Sequence, residues 1–554
     1  MMGIGNGQSD VVIVGAGPVG LAAAIELGVR GIHCLVVERN DRVGYSPRAK
    51  TTNVRTREHL RRWGIADALR RASPIAPDRP STVIFATRMN GPLIARFENA
   101  LNGSRERNNL YSEEAQWVPQ YVLEEVLRER AQSLPCVTVY FATEFVSLTQ
   151  TANSVVSQLR DIHSGETTTH QSAFLIGADG ARSGVRDAIS ATMVGEGAFS
   201  RNYSIIFRAP HLASHQIHGP AIMYWMVNEE LPSLLAPMDE MGLWTFMVTK
   251  LDDNVDLAII NPIELIRRGT GLRNLDIEIV GTDLWVAHRL VADKYSHGRV
   301  FLAGDACHLH PPFGGFGMNM GIGDAVDIGW KIGAHLAGWG GVDLLASYEL
   351  ERRSVHERTI AEAVYNFGLT GHTLVRPGLE DPGLVGEATR REVADIIEAT
   401  KVREFKTLGI VLGMRYENSP IVIADGTEPP PDHFMLYIPS AYPGCLAPHL
   451  WLSDGSSLYD HFGQEFTLLI TEGDPDEAKG LVETASKQKV PLRTLAPADV
   501  RLRDRYGARF ALIRPDQHVA WRGDQLPADC DALIATVTGT VGKAAVPFRA
   551  LAQV

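Results

Sequence analysis

The sequence predicts an α/β fold assembled from several compact units, with a parallel sheet at its start and an antiparallel sheet in its middle. Three observations carry this. The stretch VVIVGAGPVGLAAAIELGVRGIHCLVVERN, Val11 to Asn40, reads as strand, glycine turn, helix and second strand. Segments between residues 189 and 298, among them YSIIFRAP, AIMYWMVNEE, GLWTFMVTK and VDLAII, alternate with the period of strands. The 554 residues also exceed what one hydrophobic core holds, so about two to four units are needed.

Asp10 leads into VVIVG, an apolar, β-branched run suited to a buried parallel strand. GAGPVG then sets Gly15, Gly17 and Gly20 in the G-x-G-x-x-G spacing. The first glycine permits a tight turn, the second lets backbone approach a pyrophosphate, and the third lets the helix pack closely on the strand. The helix VGLAAAIELGVRG follows, with its N-terminal amides and the positive end of its dipole toward the phosphates. HCLVVE reads as the second strand and ends at Glu38, eighteen residues past Gly20. A carboxylate there accepts hydrogen bonds from ribose hydroxyls and repels a 2′-phosphate. The pattern predicts an adenine dinucleotide; NAD and FAD both carry that half, and the stretch alone does not choose.

Composition excludes several classes. The 45% apolar and 21% charged fractions are those of an ordinary globular protein. A net charge of −12 argues against a nucleic-acid surface. Cys34, Cys136, Cys307, Cys445 and Cys530 lie far apart with no C-x-x-C pair, which excludes a dithiol redox motif and a cysteine zinc site. The longest apolar run breaks at Glu26, short of the ~18–20 residues that cross a bilayer. No basic segment precedes it, so neither a membrane span nor a signal peptide is expected, and the expected location is cytoplasmic. GTGL at Gly269 lacks a third glycine and a preceding strand, so no second dinucleotide motif appears. TGTVGKA near Lys543 is not a P-loop, because Val537 and Ala544 stand where Gly and Ser/Thr are needed. One dinucleotide is expected, with no metal, nucleic acid or membrane partner.

Two later motifs choose the nucleotide. FLIGADGARSGVR, Phe174 to Arg186, resembles the strand and turn carrying the DG motif of flavin-dependent aromatic hydroxylases. RVFLAGDACHLHPPFGGFGMNMGIGDAVDIGWKI, Arg299 to Ile332, resembles their GD motif and the flavin loop after it. On these motifs, in order over roughly residues 10 to 350, the chain resembles the class A, single-component flavoprotein aromatic monooxygenases. The resemblance implies bound FAD, with NADPH or NADH as a transient co-substrate that has no dedicated site. It implies cofactor contacts from Gly15, Gly17, Pro18, Gly20, Glu38 and Arg39, from Asp179 and Gly180, from Gly304 and Asp305, and from Pro312, Gly315, Gly317, Met318 and Asn319. It also places Arg48, in SPRAKTTNVRTREHLRRWG, and Gln120, in WVPQYVLEEVLRERA, near the cofactor.

The residues make physical sense beside the resemblance. Asp305 ends a buried strand, where its carboxylate suits ribityl hydroxyls or, alternatively, a turn. PPFGGFGMN is rich enough in glycine to bring backbone N–H groups against a flat ring. Helical spacing runs from Gly321 to about Gly338, with Asn319 as a candidate cap. By the resemblance that helix points its N-terminus at the flavin N1 and C2 carbonyl, where reduced flavin is anionic.

The antiparallel segments read as a cover under which the family binds its aromatic substrate, and the hairpin Ser81 to Glu98 is expected to join them. Tyr224, Trp225, Trp244 and Phe246 are candidate pocket walls together with Pro312, each with ordinary core packing as the plainer reading. GMRYENSPIV, PSAYPGCLAPHLWLSDGSSLYDHFG and FALIRPDQHVAWRG resemble the C-terminal part of the phenol and chlorophenol hydroxylase branch, a thioredoxin-like domain without redox cysteines. The expected division is an FAD-binding Rossmann-like domain over 1–188 plus 285–400, a mainly β substrate domain over 189–284, a linker over 401–430 and the thioredoxin-like domain over 431–554.

The resemblance implies that NAD(P)H and O2 are used to hydroxylate a small phenol ortho to its hydroxyl through a flavin C4a-hydroperoxide, by a homodimer. A hydroxylase of polycyclic polyketides or antibiotics is the alternative, and a flavin dehydrogenase or oxidase a further one. Tyr224, His308 and His310 are candidate bases, with a turn-stabilising role the plainer reading for both histidines.

Overall fold

The opening stretch forms the elements its pattern asks for. In the computed structural model, which describes residues 6–41, 49–251, 260–369 and 371–541, Gly7–Val14 is the central strand of a parallel sheet. Its neighbours are Cys34–Val37 and Thr167–Gly177, with Val137–Tyr140 and Val300–Leu302 outside them. Val11 pairs with Cys34 on one side and Phe174 on the other, and Val11, Val12 and Ile13 have no exposed surface. That explains a run apolar at every position rather than every second one.

The helix Pro18–Gly28 covers this sheet, and the helix Gly317–Leu336 packs along it. Small residues make the approach possible: a Cβ on Gly321 falls 2.6 Å from Val19 Cγ2, and one on Gly329 falls 2.8 Å from Glu26 Cγ. Glu26, which interrupts the apolar run, is fully buried and receives Arg30, Arg62 and the indole N–H of Trp63 at 2.7, 2.6 and 2.8 Å.

The second sheet runs His308–Leu309, Glu278–Ala292, Met193–Arg208, Leu243–Leu251, Ser233–Pro237, Met223–Met226, Val83–Ala86, Leu93–Phe97. It is antiparallel except where Met223–Met226 meets Val83–Ala86, which adds the Val83–Phe97 hairpin to one side. The boundary expected between 284 and 285 cuts the strand Glu278–Ala292, which pairs with Met193–Arg208 along most of its length. The strand stays whole because breaking it there would strip backbone groups of their ladder partners. The segment VDLAII, expected as a strand, falls outside the described residues except for Ile260, which lies in none.

The C-terminal sheet has the order Leu492–Leu495, Phe466–Ile470, Phe510–Ile513, Val519–Gly523. Its first pair is parallel, joined through the helix Lys479–Lys487, and the other two pairings are antiparallel. This is the thioredoxin-like arrangement, and Cys445 and Cys530 are both free thiols. The expected linker is not loose chain. It contains the end of the helix Gly383–Phe405 and the helix Leu408–Leu412, and Ile410, Val411, Leu412, Tyr416 and Ile421 are buried. Trp330 of the Gly317 helix packs into the same cluster as Phe466, Phe510 and Trp521, so the third unit is seated on the first. No described helix is long and apolar enough to cross a membrane.

Candidate flavin and substrate site

The phosphate turn is built at the C-terminal edge of the parallel sheet. Gly15 has φ +104°, and a Cβ there would lie 2.3 Å from the carbonyl oxygen of Ala178. A Cβ on Gly20 would lie 1.9 Å from the Gly15 carbonyl oxygen. Gly17, the N-cap of the Pro18 helix, is different: a Cβ there meets nothing within 4 Å. Open space next to a helix start with no acidic residue in its first turn fits a pyrophosphate. Pro18 occupies the first turn, where a missing N–H costs nothing.

Glu38 is pre-oriented beside that turn. Its Oε2 accepts from the Ala16 N–H at 3.0 Å and its Oε1 from the Asn40 N–H at 2.9 Å. Arg39 next to it is exposed. Arg48 lies outside the described residues. Gln120 bridges the turn before the small strand Thr51–Thr52, accepting from the Ala49 N–H at 3.0 Å and donating to Glu124 at 2.7 Å.

Asp179 serves its own turn: it accepts from Ser183 Oγ at 2.5 Å and from the Val185 N–H at 3.1 Å, and burial pushes its carboxyl up from the ordinary range. Gly180 follows with φ +81° and open space where a side chain would stand. Gly304 takes φ +63° and sets the half-buried Asp305 at the end of Val300–Leu302.

The loop 311–316 turns through Gly314 and Gly315, both at positive φ, and Gly315 N–H donates to the Pro312 carbonyl at 3.1 Å. The following helix begins at Gly317, four residues earlier than the spacing indicated, and Phe316 is its N-cap. Asn319 is therefore inside the helix, and its expected role as cap is corrected. Its Oδ1 accepts from the Asn53 N–H at 2.9 Å, and its Nδ2 donates to the carbonyls of Thr51 and Gly315 at 2.9 and 2.6 Å. The residue stitches the loop to the chain segment opposite it. Met318 is half-buried beside it and Pro312 is exposed.

His310 lies against the start of this helix, with Nε2 3.3 Å from where a Gly317 Cβ would be. Its Nδ1 contacts the Pro311 carbonyl at 2.7 Å, so the proton sits on Nδ1 and Nε2 keeps its lone pair. Burial, with His308 nearby, pushes the imidazole down to about 4. His308 is committed elsewhere, its Nε2 3.0 Å from Asp324. Asp324, fully buried, gathers His308, His356 at 2.7 Å, Arg352 at 2.8 Å and the Gly304 N–H at 3.0 Å. Cys307, His308, Asp324 and His356 bring metal-ligating atoms within 4.8 Å of one another. Both Asp324 oxygens are already occupied, and the Arg352 guanidinium would repel a cation, so the group reads as a buried charge cluster bracing the GD turn.

The sheet's alternation decides which aromatics face the loop. Trp225 and Phe85 stack at 5.4 Å, and Trp225 lies 5.9 Å from Phe313 of the loop. Tyr224, Trp244 and Phe246 lie on the opposite face, packed with Ile266 of the helix Pro262–Thr270. As pocket walls they are corrected: neighbouring strand residues point to opposite sides, so a run such as MYWM cannot give both Tyr224 and Trp225 to one pocket. The wall on the loop side is instead Trp225 with half-buried Met223, Met247, Trp285 and Phe199. Phe313 itself, inside the quoted loop, was readable from the sequence and passed over there.

Tyr224 as a base is corrected too. Its hydroxyl donates to Gln216 Oε1 at 2.6 Å and accepts from the Ala221 N–H at 2.8 Å, and burial pushes it up to about 12. Tyr224→Phe should cost about 1–3 kcal/mol of stability through the unmade bonds. It should leave the ratio of oxygen-transfer to flavin-reduction rates unchanged in stopped-flow measurements; selective slowing of oxygen transfer would restore the residue to the chemistry.

Known proteins resemble this chain along most of its length. The FAD binding domain family matches residues 8–363, and the family described as aromatic-ring hydroxylase, C-terminal, matches residues 440–544. Tetracenomycin B2 monooxygenase-dioxygenase of Streptomyces olivaceus is 32% identical, covering 95% of this chain and 97% of its own. Phenol 2-monooxygenase of a Pseudomonas species is 29% identical, with 94% of each chain covered. The structure of the rebeccamycin biosynthetic enzyme RebC with reduced flavin superposes with a TM-score of 0.89 at 35% identity, over 97% of this chain and 100% of that one. With a turn that fits a pyrophosphate, a glycine loop under an apolar sheet and these likenesses along its whole length, the chain belongs to the class A FAD-dependent aromatic monooxygenases.

Proposed function

We propose that this enzyme uses NAD(P)H and O2 to hydroxylate a phenolic ring ortho to its hydroxyl. FAD held at this site would supply the redox chemistry between NAD(P)H and O2, one oxygen atom entering the ring and the other leaving as water. The observation that carries the reading is the apolar wall Trp225, Met223, Met247, Trp285 and Phe199 facing the loop 311–316. Such a surface binds an aromatic ring and keeps water from the reacting atoms.

The chain's own residues then have defined tasks. The Gly17 turn and the Pro18 helix would hold the pyrophosphate, and Glu38 the ribose. The N-terminus of the Gly317 helix would favour negative charge on a flavin ring held against the loop. Asn319 fixes that loop, and His310 Nε2, without a hydrogen-bond partner among the described residues, is a proton acceptor beside it.

Wall width favours a fused-ring phenol over a single-ring one. Met223 and Trp285 stand on strands four spacings apart in the sheet, which is about 19 Å at ~4.8 Å per strand and wider than one ring. The likeness to proteins named for tetracenomycin B2 and rebeccamycin supports the same reading, and the likeness to one named for phenol supports the other.

The test is a panel of single-ring phenols and hydroxylated fused-ring aromatics, with NADH and NADPH in turn, scored for O2 uptake and hydroxylated product. Coupled product from the fused rings is expected. Flavin reduction by the aromatic compound alone, without NAD(P)H, would identify a dehydrogenase or oxidase instead.

A further inference from the structure

A buried cation stands on the loop side of the cover sheet. Lys401, near the end of the helix Gly383–Phe405, has no exposed surface. Its Nζ donates to Glu404 Oε2 at 2.6 Å and to the backbone carbonyl of Asn366 at 3.2 Å. The same ammonium lies 4.4 Å from the centre of the Trp225 ring and 5.5 Å from that of Phe313. Those two rings join the sheet wall to the flavin loop, so the charge borders the site described above.

Asn366, in the helix Val342–Gly368, is buried as completely. Neither Oδ1 nor Nδ2 of its side chain has a hydrogen-bond partner among the described residues. An amide in that state destabilises the fold, and a leucine would fill the same space without the loss. An apolar residue would likewise pack beside Trp225 and Phe313 at less desolvation cost than a lysine. Unmet polar groups beside aromatic side chains are what a ligand's oxygen completes.

We propose that Lys401 and Asn366 form the polar end of the substrate cavity and bind the ionised hydroxyl oxygen of the phenolic substrate. The inference rests on the phenolic reading above. The ammonium gives the oxygen its third N–H, the amide gives an Nδ2–H, and the phenolic proton leaves to solvent. Glu404, from the same helix, holds the lysine in place. Lys250, from the strand Leu243–Leu251, is the other charged group acting on it; its Nζ lies 5.7 Å from the Phe367 ring, which in turn lies 5.3 Å from that of Phe313. Two cations against one carboxylate favour an anionic oxygen, and a charge-assisted bond fixes which ring carbon meets the flavin. Lys401 and Asn366 are thus binding and positioning groups.

The experiment titrates the FAD-loaded enzyme with 4-nitrophenol and reads the phenolate absorption of the bound probe, at a pH where the free probe is mostly protonated. The wild type is expected to bind the probe as phenolate. Lys401→Met should bind it roughly ten- to a hundredfold more weakly and without the preference for the phenolate. Asn366→Leu should weaken binding about tenfold while raising the melting temperature, a combination that a merely structural role does not give. If Lys401→Met fails to hold FAD, Asn366→Leu decides.

Undiminished phenolate binding by Lys401→Met, undiminished binding by Asn366→Leu, or no bound phenolate in the wild type overturns the proposal. Failure of the reaction reading is visible separately in the same preparations. An enzyme whose NAD(P)H oxidation no phenol stimulates, yet which binds the probe through Lys401, loses the reaction and keeps the subsite. Phenol-stimulated turnover with unchanged probe binding in Lys401→Met does the reverse.

Discussion

Gly15→Ala should yield protein with little or no FAD and a weakened fold, whereas Gly17→Ala should lose the cofactor and keep the fold. The two glycines stand two residues apart, and the difference lies in what surrounds them. At Gly15 the backbone is held on both sides: its N–H donates to the Val37 carbonyl at 2.8 Å, and Ala178 N–H donates to the Val14 carbonyl at 2.8 Å. With φ at +104° and Ala178 O only 2.3 Å from the new methyl, the chain has to move or the sheet edge has to open. Left-handed backbone costs an L-residue roughly 1–2 kcal/mol, and forced overpacking about 1–3 kcal/mol more. Against a total stability of about 5–15 kcal/mol that is a large loss.

At Gly17 the added methyl meets no protein atom within 4 Å, and φ is an ordinary −73°. The apoprotein's melting temperature should therefore stay within experimental error, while FAD retained through purification, read from the visible absorption per protein, falls at least about tenfold as the methyl takes the place of the phosphates. A Gly17→Ala protein as yellow as the wild type would show that the pyrophosphate does not lie at this turn.

Asp324→Ala should cost about 3–5 kcal/mol through a buried charge left without its partner. Arg352, fully buried, has Asp324 as its carboxylate at 2.8 Å, and its other contacts are the Met320 carbonyl at 3.1 Å and the Tyr416 hydroxyl at 3.4 Å. Losing Asp324 also frees the Gly304 N–H, so the GD turn and the cofactor should suffer together. Asp324→Asn keeps the shape and should cost less. Urea unfolding followed by tryptophan fluorescence measures both.

The pH dependence has a fixed sign. Burial works against the Asp324 carboxylate, but His356, Arg352 and His308 outweigh it and hold its pKa well below the ordinary range. An acid whose folded value is depressed stabilises fully above the unfolded value, and that stability is lost as pH falls through the folded value. His356, pushed down to about 3 chiefly by burial, acts in the same direction, because the unfolded chain takes up its proton first as pH falls below the ordinary histidine value. Wild-type stability should therefore fall steeply below neutral pH. Asp324→Asn should show a shallower slope between about pH 4 and 2, and equal slopes would mean that the carboxylate is not ionised in the fold.

The two halves of the site differ in how openly the sequence displays them. Gly15, Gly17 and Gly20 act through backbone and Glu38 through its carboxylate, and all four lie within one local strand–turn–helix–strand, so spacing alone carries their geometry. The loop 311–316 is similar, since its glycines are dense and contiguous. The cover sheet is different. Period-2 alternation announces a strand, yet it leaves open which face meets the flavin loop, and Tyr224, Trp244 and Phe246 fell on the far side for that reason. Asn319 looked like a cap because a polar residue precedes a helical run; the helix starts earlier, and the side chain finds Thr51 and Asn53, more than 260 positions away in sequence.

Sequence by itself determined the parallel sheet and the dinucleotide turn, because these rest on short-range spacing and on backbone conformation, while membership of the FAD-dependent hydroxylases was legible only through the resemblance of the motifs at 174–186 and 299–332 to that family. Only the tertiary structure decided which sheet face meets Phe313 of the loop, the Asp324 cluster, the seating of the C-terminal unit on Trp330, and the meeting of Lys401 and Asn366 beside Trp225. Those depend on which faces of distant strands and helices are pressed together. Burial is what makes the charges among them consequential, and a single strand or helix read alone does not show its partner.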